Sequence, residues 1–125
     1  RLGQDIGADD EQLRFANGYD HFFVLRGDAG ASLRRAARVE EPLSGRTLEV
    51  WTTEPGVQLF SGNSLGSNEP RDVGKDGLRF ALRGGLCLEP SRYPDAPNEP
   101  GFPSSVLRPG DTYSGRIVYR FGVIQ

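Results

Sequence analysis

Apolar and polar positions alternate with a period of two near the end of the chain. Ile117, Tyr119, Phe121 and Val123 stand against Val118, Arg120 and Gly122. Successive side chains of a β-strand point to opposite faces, so this pattern predicts a strand. Phe22-Phe23-Val24-Leu25 predicts another through its aromatic and branched side chains. Thr47 to Thr52 places Leu48 and Val50 on one face. Val57-Gln58-Leu59-Phe60 follows the turn signal Glu54-Pro55-Gly56. Leu86-Cys87-Leu88-Glu89 is short and bounded by Gly85 and Pro90. Ala31 to Glu41 fits two readings: its Ala, Leu, Arg and Glu content favours a helix, while Leu33, Ala37 and Val39 against Arg34, Ala36 and Arg38 permit a strand. A strand is the reading adopted, because sheet pairing overrides local propensity.

Composition strengthens the β reading. Seventeen Gly and nine Pro are spread along the chain, and both disfavour helix interiors. Only Ala8 to Asn17 and Ala31 to Glu41 are long enough without them to hold an ordinary helix. The expectation is an all-β, antiparallel fold. Asn63 to Gly77 reads as a long surface loop, mobile in part. Tyr93 to Pro109 carries Pro94, Pro97, Pro100, Pro103 and Pro109, which bar it from a sheet interior, yet Tyr93, Phe102, Val106 and Leu107 offer anchors to a core. No repeat or linker divides residues 1–125, so no internal domain boundary is expected.

Charge removes several function classes. The 125 residues hold 15 Lys and Arg and 17 Asp and Glu, a net charge of −2, which leaves no basic excess for a phosphate backbone. Nucleic acid is therefore not an expected partner. No apolar run is long enough for a membrane helix, and the first ten residues lack an apolar signal segment, so no membrane contact is expected either. A single Cys suits a reducing compartment, and a cytoplasmic location is the expectation. Methionine is absent even at position 1, which suggests a fragment or a processed product.

Two carboxylates stand out by position. Asp20 lies in Asn17-Gly18-Tyr19-Asp20-His21, where a turn feeds an apolar strand. Glu89 ends a short strand and shares a face with Cys87, while Leu86 and Leu88 point the other way. That backing would partly desolvate Glu89 and raise its basicity. Plainer readings compete at each position. An Asp after Gly-Tyr usually hydrogen-bonds nearby backbone, and a Glu at a strand end is usually solvated. Gln58 on its short strand is more often a surface residue than a ligand contact. His21, the only imidazole, reads as a structural group beside aromatic residues. One Cys and one His leave no plausible structural zinc site, and no metal is expected. No phosphate-binding glycine loop or nucleophile elbow is present. Arg34, Arg35 and Arg38 read as a solvated face.

Six segments in order resemble one family, the aldose 1-epimerases or galactose mutarotases. They are Gly18-Tyr19-Asp20-His21; Ser44-Gly45-Arg46 with Leu48-Glu49-Val50; Thr52 to Phe60 with Gly62-Asn63; Cys87-Leu88-Glu89-Pro90; Tyr93 to Asn98; and Leu107-Arg108-Pro109-Gly110. The resemblance implies an antiparallel β-sandwich of which residues 1–125 form the C-terminal portion. It implies interconversion of the α and β anomers of a free hexose such as galactose or glucose, with no cofactor. Glu89 in Cys-Leu-Glu-Pro matches the catalytic base. Asp20 in Gly-Tyr-Asp-His and Gln58 in Pro-Gly-Val-Gln match sugar-binding groups. Phe60 stands where the family often has Tyr, and Ser91 where it often has Gln. The general acid of the family is an upstream His that falls outside these residues; His21 does not match it. The isolated chain is accordingly expected to be inactive, and to need the upstream part of the same domain or self-association. The alternatives are a non-catalytic carbohydrate-binding module and, ranked last, glycoside hydrolysis by Asp20 and Glu89.

Overall fold

The computed structural model describes residues 1–27 and 32–124. Among the described residues two short α-helices, α1 (Leu2–Asp5) and α2 (Glu11–Ala16), precede six strands. The strands are β1 (Asp20–Val24), β2 (Arg34–Glu40), β3 (Arg46–Thr52), β4 (Gly56–Phe60), β5 (Cys87–Ser91) and β6 (Ile117–Val123). They form two three-stranded sheets, ordered β1-β4-β5 and β2-β3-β6. The all-β expectation holds, with all six expected strands present. Ala31, the first residue of the ambiguous segment, lies outside the described residues; the rest of that segment contains strand β2 rather than a helix.

The second sheet shows why pairing prevails over propensity. β3 is central and antiparallel to both neighbours. The β2 register shifts between Arg35 and Ala37, a bulge that resets the face on which its side chains stand. Arg38 then lies opposite Glu49. The Glu49 carboxylate accepts from Arg35 and Arg38 at 3.1 Å each and from the Trp51 indole at 3.0 Å. Arg120, opposite Glu49 on β6, stacks its guanidinium 4.8 Å from the Trp51 ring. Arg35 and Arg38 are thus part of a paired cross-strand face, while Arg34 donates to the Glu54 backbone carbonyl at 2.9 Å. On the other face Val50 is fully buried, opposite Ala37 on one side and Tyr119 on the other.

The chain parts into two compact units, residues 1–21 with 58–87, and residues 22–57 with 88–125. In the first, Asn63 to Gly77 is more ordered than a plain loop. Pro70–Asp72 and Lys75–Gly77 form 3₁₀ turns, and Val73 bridges to Arg79. Asp72 is 1% exposed and accepts from the Ser67 hydroxyl at 2.9 Å. A polar residue in a polar stretch signals solvent in the sequence, but here it supplies the acceptor around which the turns close. In the second unit, the proline-rich segment is pinned by Tyr93, whose ring meets Phe22 and Phe102 edge-on at 5.2 and 5.1 Å. Val106 and Leu107, expected as further anchors, are 62% and 57% exposed.

Candidate active site

Asp20 owes its position to a turn built locally. Asp10 caps α2 by accepting from the backbone N–H groups of Gln12 and Leu13 at 2.9 and 3.3 Å. Asn17 ends the helix in the left-handed conformation, φ 53°. Gly18 follows at φ 136°. A β-carbon there would stand 2.3 Å from Asn63 Oδ1, so only glycine fits. Asn63 Nδ2 donates to the carbonyls of Ala16 and Tyr19 at 2.9 and 3.0 Å. Ser61 N–H donates to the Tyr19 carbonyl at 2.9 Å, and Tyr19 N–H to Ser61 Oγ at 3.0 Å. These bonds tie the residue before Asp20 to the end of β4.

Gln58 then meets Asp20. Its Nε2 donates to Asp20 Oδ1 at 2.7 Å. An ionised carboxylate only accepts, so this contact fixes which way the amide faces. Gln58 Oε1 is left buried with no hydrogen-bond partner among the described residues. An open acceptor beside an exposed carboxylate suits a ligand rich in hydroxyls, each of which can donate to one oxygen and accept elsewhere. His21 behaves as a structural group: its Nδ1 accepts from Asp20 N–H at 3.0 Å, and its ring meets Tyr19 edge-on at 6.3 Å.

Glu89 belongs to the second unit, at the centre of β5. Asp20 and Gln58 are brought together within the first unit. The expected desolvation by a leucine backing is not found. Glu89 and Cys87 are exposed, Leu88 is half-buried and Leu86 is 37% exposed. β5 is a terminal strand of its sheet, so only one side of it gains a ladder neighbour. An open cavity of about 450 Å³ lies beside the following residues, lined by Pro90, Ser91, Arg92, Leu107, Tyr113 and Ile117 among others. Glu89 is not part of its wall.

Glu54, Arg92 and Tyr113, which no sequence motif singles out, form a polar cluster in the wall of this cavity. Glu54, 6% exposed, accepts from the Tyr113 hydroxyl and lies 3.8 Å from Arg92 Nε. The Arg92 guanidinium sits 5.3 Å from the Tyr113 ring and donates to the Ser104 carbonyl at 3.1 Å. The Tyr113 hydroxyl is held above the usual tyrosine range, first by its bond to the Glu54 carboxylate, then by burial. Glu54 stood inside a turn signal, where a carboxylate normally faces water.

Residues 2–120 match the family model described as aldose 1-epimerase. This chain belongs to the aldose 1-epimerase family. It is 43% identical over 107 residues to human galactose mutarotase, covering 86% of this chain and 30% of that protein. It is 40% identical over 122 residues to the aldose 1-epimerase of Escherichia coli (strain K12), covering 96% of this chain and 34% of that protein. The solved structure of the GalM/aldose epimerase homologue from C. elegans superposes with a TM-score of 0.74 at 29% identity, over 95% of this chain and 33% of that one. The chain thus spans about a third of the length of these epimerase relatives, and its mostly antiparallel sheets are those of the epimerase fold.

Proposed function

We propose that this chain is the C-terminal part of an aldose 1-epimerase that interconverts the anomers of a free hexose, galactose or glucose, in the cytoplasm and without a cofactor. Membership of the family supports the reaction. The single observation that carries the sugar site is the Gln58–Asp20 contact, with its unpartnered amide oxygen.

In this reading Glu89 takes the proton of the C1 hydroxyl. An acid supplied from outside these residues protonates the ring oxygen. The ring opens, rotation about C1–C2 turns the aldehyde over, and reclosure gives the other anomer. Each positioned proton transfer is worth about 10²- to 10⁴-fold. Asp20 and Gln58 hold sugar hydroxyls while this happens. Because one of the two proton-transfer groups is not in this chain, the chain alone is inactive. The exposed side of edge strand β6, with Ile117 46%, Phe121 82% and Val123 68% exposed, suits packing against the upstream part of the domain or a second copy.

Polarimetry on fresh α-D-galactose tests this. The 125-residue chain should not accelerate equilibration, and a longer polypeptide with the upstream residues should. Glu89→Gln in the longer form should lower the rate at least a hundredfold while galactose still binds. A Glu89→Gln protein of normal turnover removes the base. A protein that binds galactose but never speeds its equilibration is a carbohydrate-binding module, the reading that the Asp20–Gln58 pair alone would also allow.

A further inference from the structure

Side chains distant in sequence meet the chain on either side of Glu89: Tyr119 at Leu88, and Glu54 at Arg92, the residue after β5. The Tyr119 hydroxyl donates to the carbonyl of Leu88, the residue just before it, at 3.1 Å. Tyr119 stands opposite the fully buried Val50 in the β3–β6 ladder, which fixes the phenol's starting point. β5 is terminal in its sheet, so a side-chain donor reaching one of its carbonyls does what a missing neighbour strand would do. Three residues after Glu89, Arg92 is held by the nearly buried Glu54 carboxylate at 3.8 Å and by the Ser104 carbonyl at 3.1 Å. Tyr113 packs under the guanidinium and bonds the same carboxylate. Glu89 lies between these two contacts, with its side chain open to solvent.

We propose that Tyr119 and the Glu54–Arg92 pair are positioning residues, which hold the segment from Leu88 to Arg92 so that the Glu89 carboxylate is presented to the anomeric hydroxyl in one orientation. The inference rests on Glu89 being the base. An exposed carboxylate on an edge strand has many rotamers and a mobile backbone beneath it. Proton transfer requires it within hydrogen-bond reach of one hydroxyl, and misplacement by about 1 Å is costly in rate. Neither positioning group needs to touch the sugar, so both act on turnover more than on affinity.

A double-mutant cycle tests this in the full polypeptide as its gene encodes it, with polarimetry of α-D-galactose as the readout. Tyr119→Phe removes one oxygen and keeps the ring. It should lower kcat about 3- to 10-fold, the range that one neutral hydrogen bond spans, with KM unchanged within about twofold. In a Glu89→Gln background the same change should do nothing further, because no base is left to orient. Arg92→Gln, which cuts the other contact, should show the same split. Amide hydrogen exchange in Tyr119→Phe should quicken several-fold at Leu88 and Glu89. Equal losses with and without Glu89 would mark Tyr119 as merely structural and overturn the proposal, as would an unchanged kcat. If Glu89→Gln itself keeps full turnover, the base assignment falls, and the positioning role falls with it. If Glu89→Gln is inactive and Tyr119→Phe is normal, only the positioning role falls.

Discussion

Replacing Tyr113 by Phe removes a single hydroxyl from the Glu54 carboxylate. Glu54 is 6% exposed, and the Arg92 guanidinium stands 3.8 Å from its carboxylate, beyond hydrogen-bond range. A hydrogen bond to a charged acceptor is worth about 1.5–3 kcal/mol net, and an acceptor left unsatisfied costs a similar amount. Tyr113 is 52% exposed, so water reaches its end of the contact and weakens it. The expected loss at pH 7 is therefore about 1–2 kcal/mol, or about 4–8 °C in Tm for a chain of this length. The loss should depend on pH in a definite direction. The Tyr113 hydroxyl is held above its ordinary range by the Glu54 carboxylate. A raised value means that the contact contributes in full below the ordinary tyrosine pKa of about 10 and is lost as pH rises through the folded value. The difference between wild type and Tyr113→Phe should thus be flat between about pH 6 and 9 and shrink above about pH 10. Urea unfolding followed by the fluorescence of Trp51, the single tryptophan, measures it directly. A variant within about 0.3 kcal/mol of wild type at pH 7, or a difference that persists undiminished at pH 11, would refute the reasoning.

Three other outcomes are expected. Gly56→Ala places a β-carbon 2.0 Å from Phe22 Cζ and should destabilise the protein by about 2–3 kcal/mol in the same denaturation assay. Gln58→Ala removes the open amide oxygen beside Asp20 and should weaken galactose binding about tenfold by calorimetry; unchanged affinity would show that the amide does not touch the sugar. The bond from the Trp51 indole, then those from Arg38 and Arg35, hold the Glu49 carboxyl below the usual range. A lowered value means stability that is present above the ordinary glutamate pKa and lost as pH falls, so Glu49→Gln should flatten the decline of Tm between about pH 5 and 3.

What the sequence determined by itself is local. Alternation along Ile117–Val123, the turn signal before Val57 and the apolar residues around Cys87 each lie within a few residues, and each became a strand, although β5 runs through Pro90 to Ser91 instead of ending at Glu89. The matched segments also indicated the family, because motif order survives without any knowledge of contacts. The tertiary structure decided what depends on distant partners. Arg38 acquired its place opposite Glu49 through a bulge that no local pattern announces. Asp72 lies in a segment expected as a surface loop and Glu54 in a turn signal, yet both are buried, because the Ser67 hydroxyl and a tyrosine far along the chain supply their donors. Gln58 found Asp20 across 38 residues of sequence, and Tyr119 found the Leu88 carbonyl across 31. Strand periodicity fixes which side of the backbone a residue faces, but the partner it meets there is set by register between strands, which the side chains choose only once the sheets have assembled.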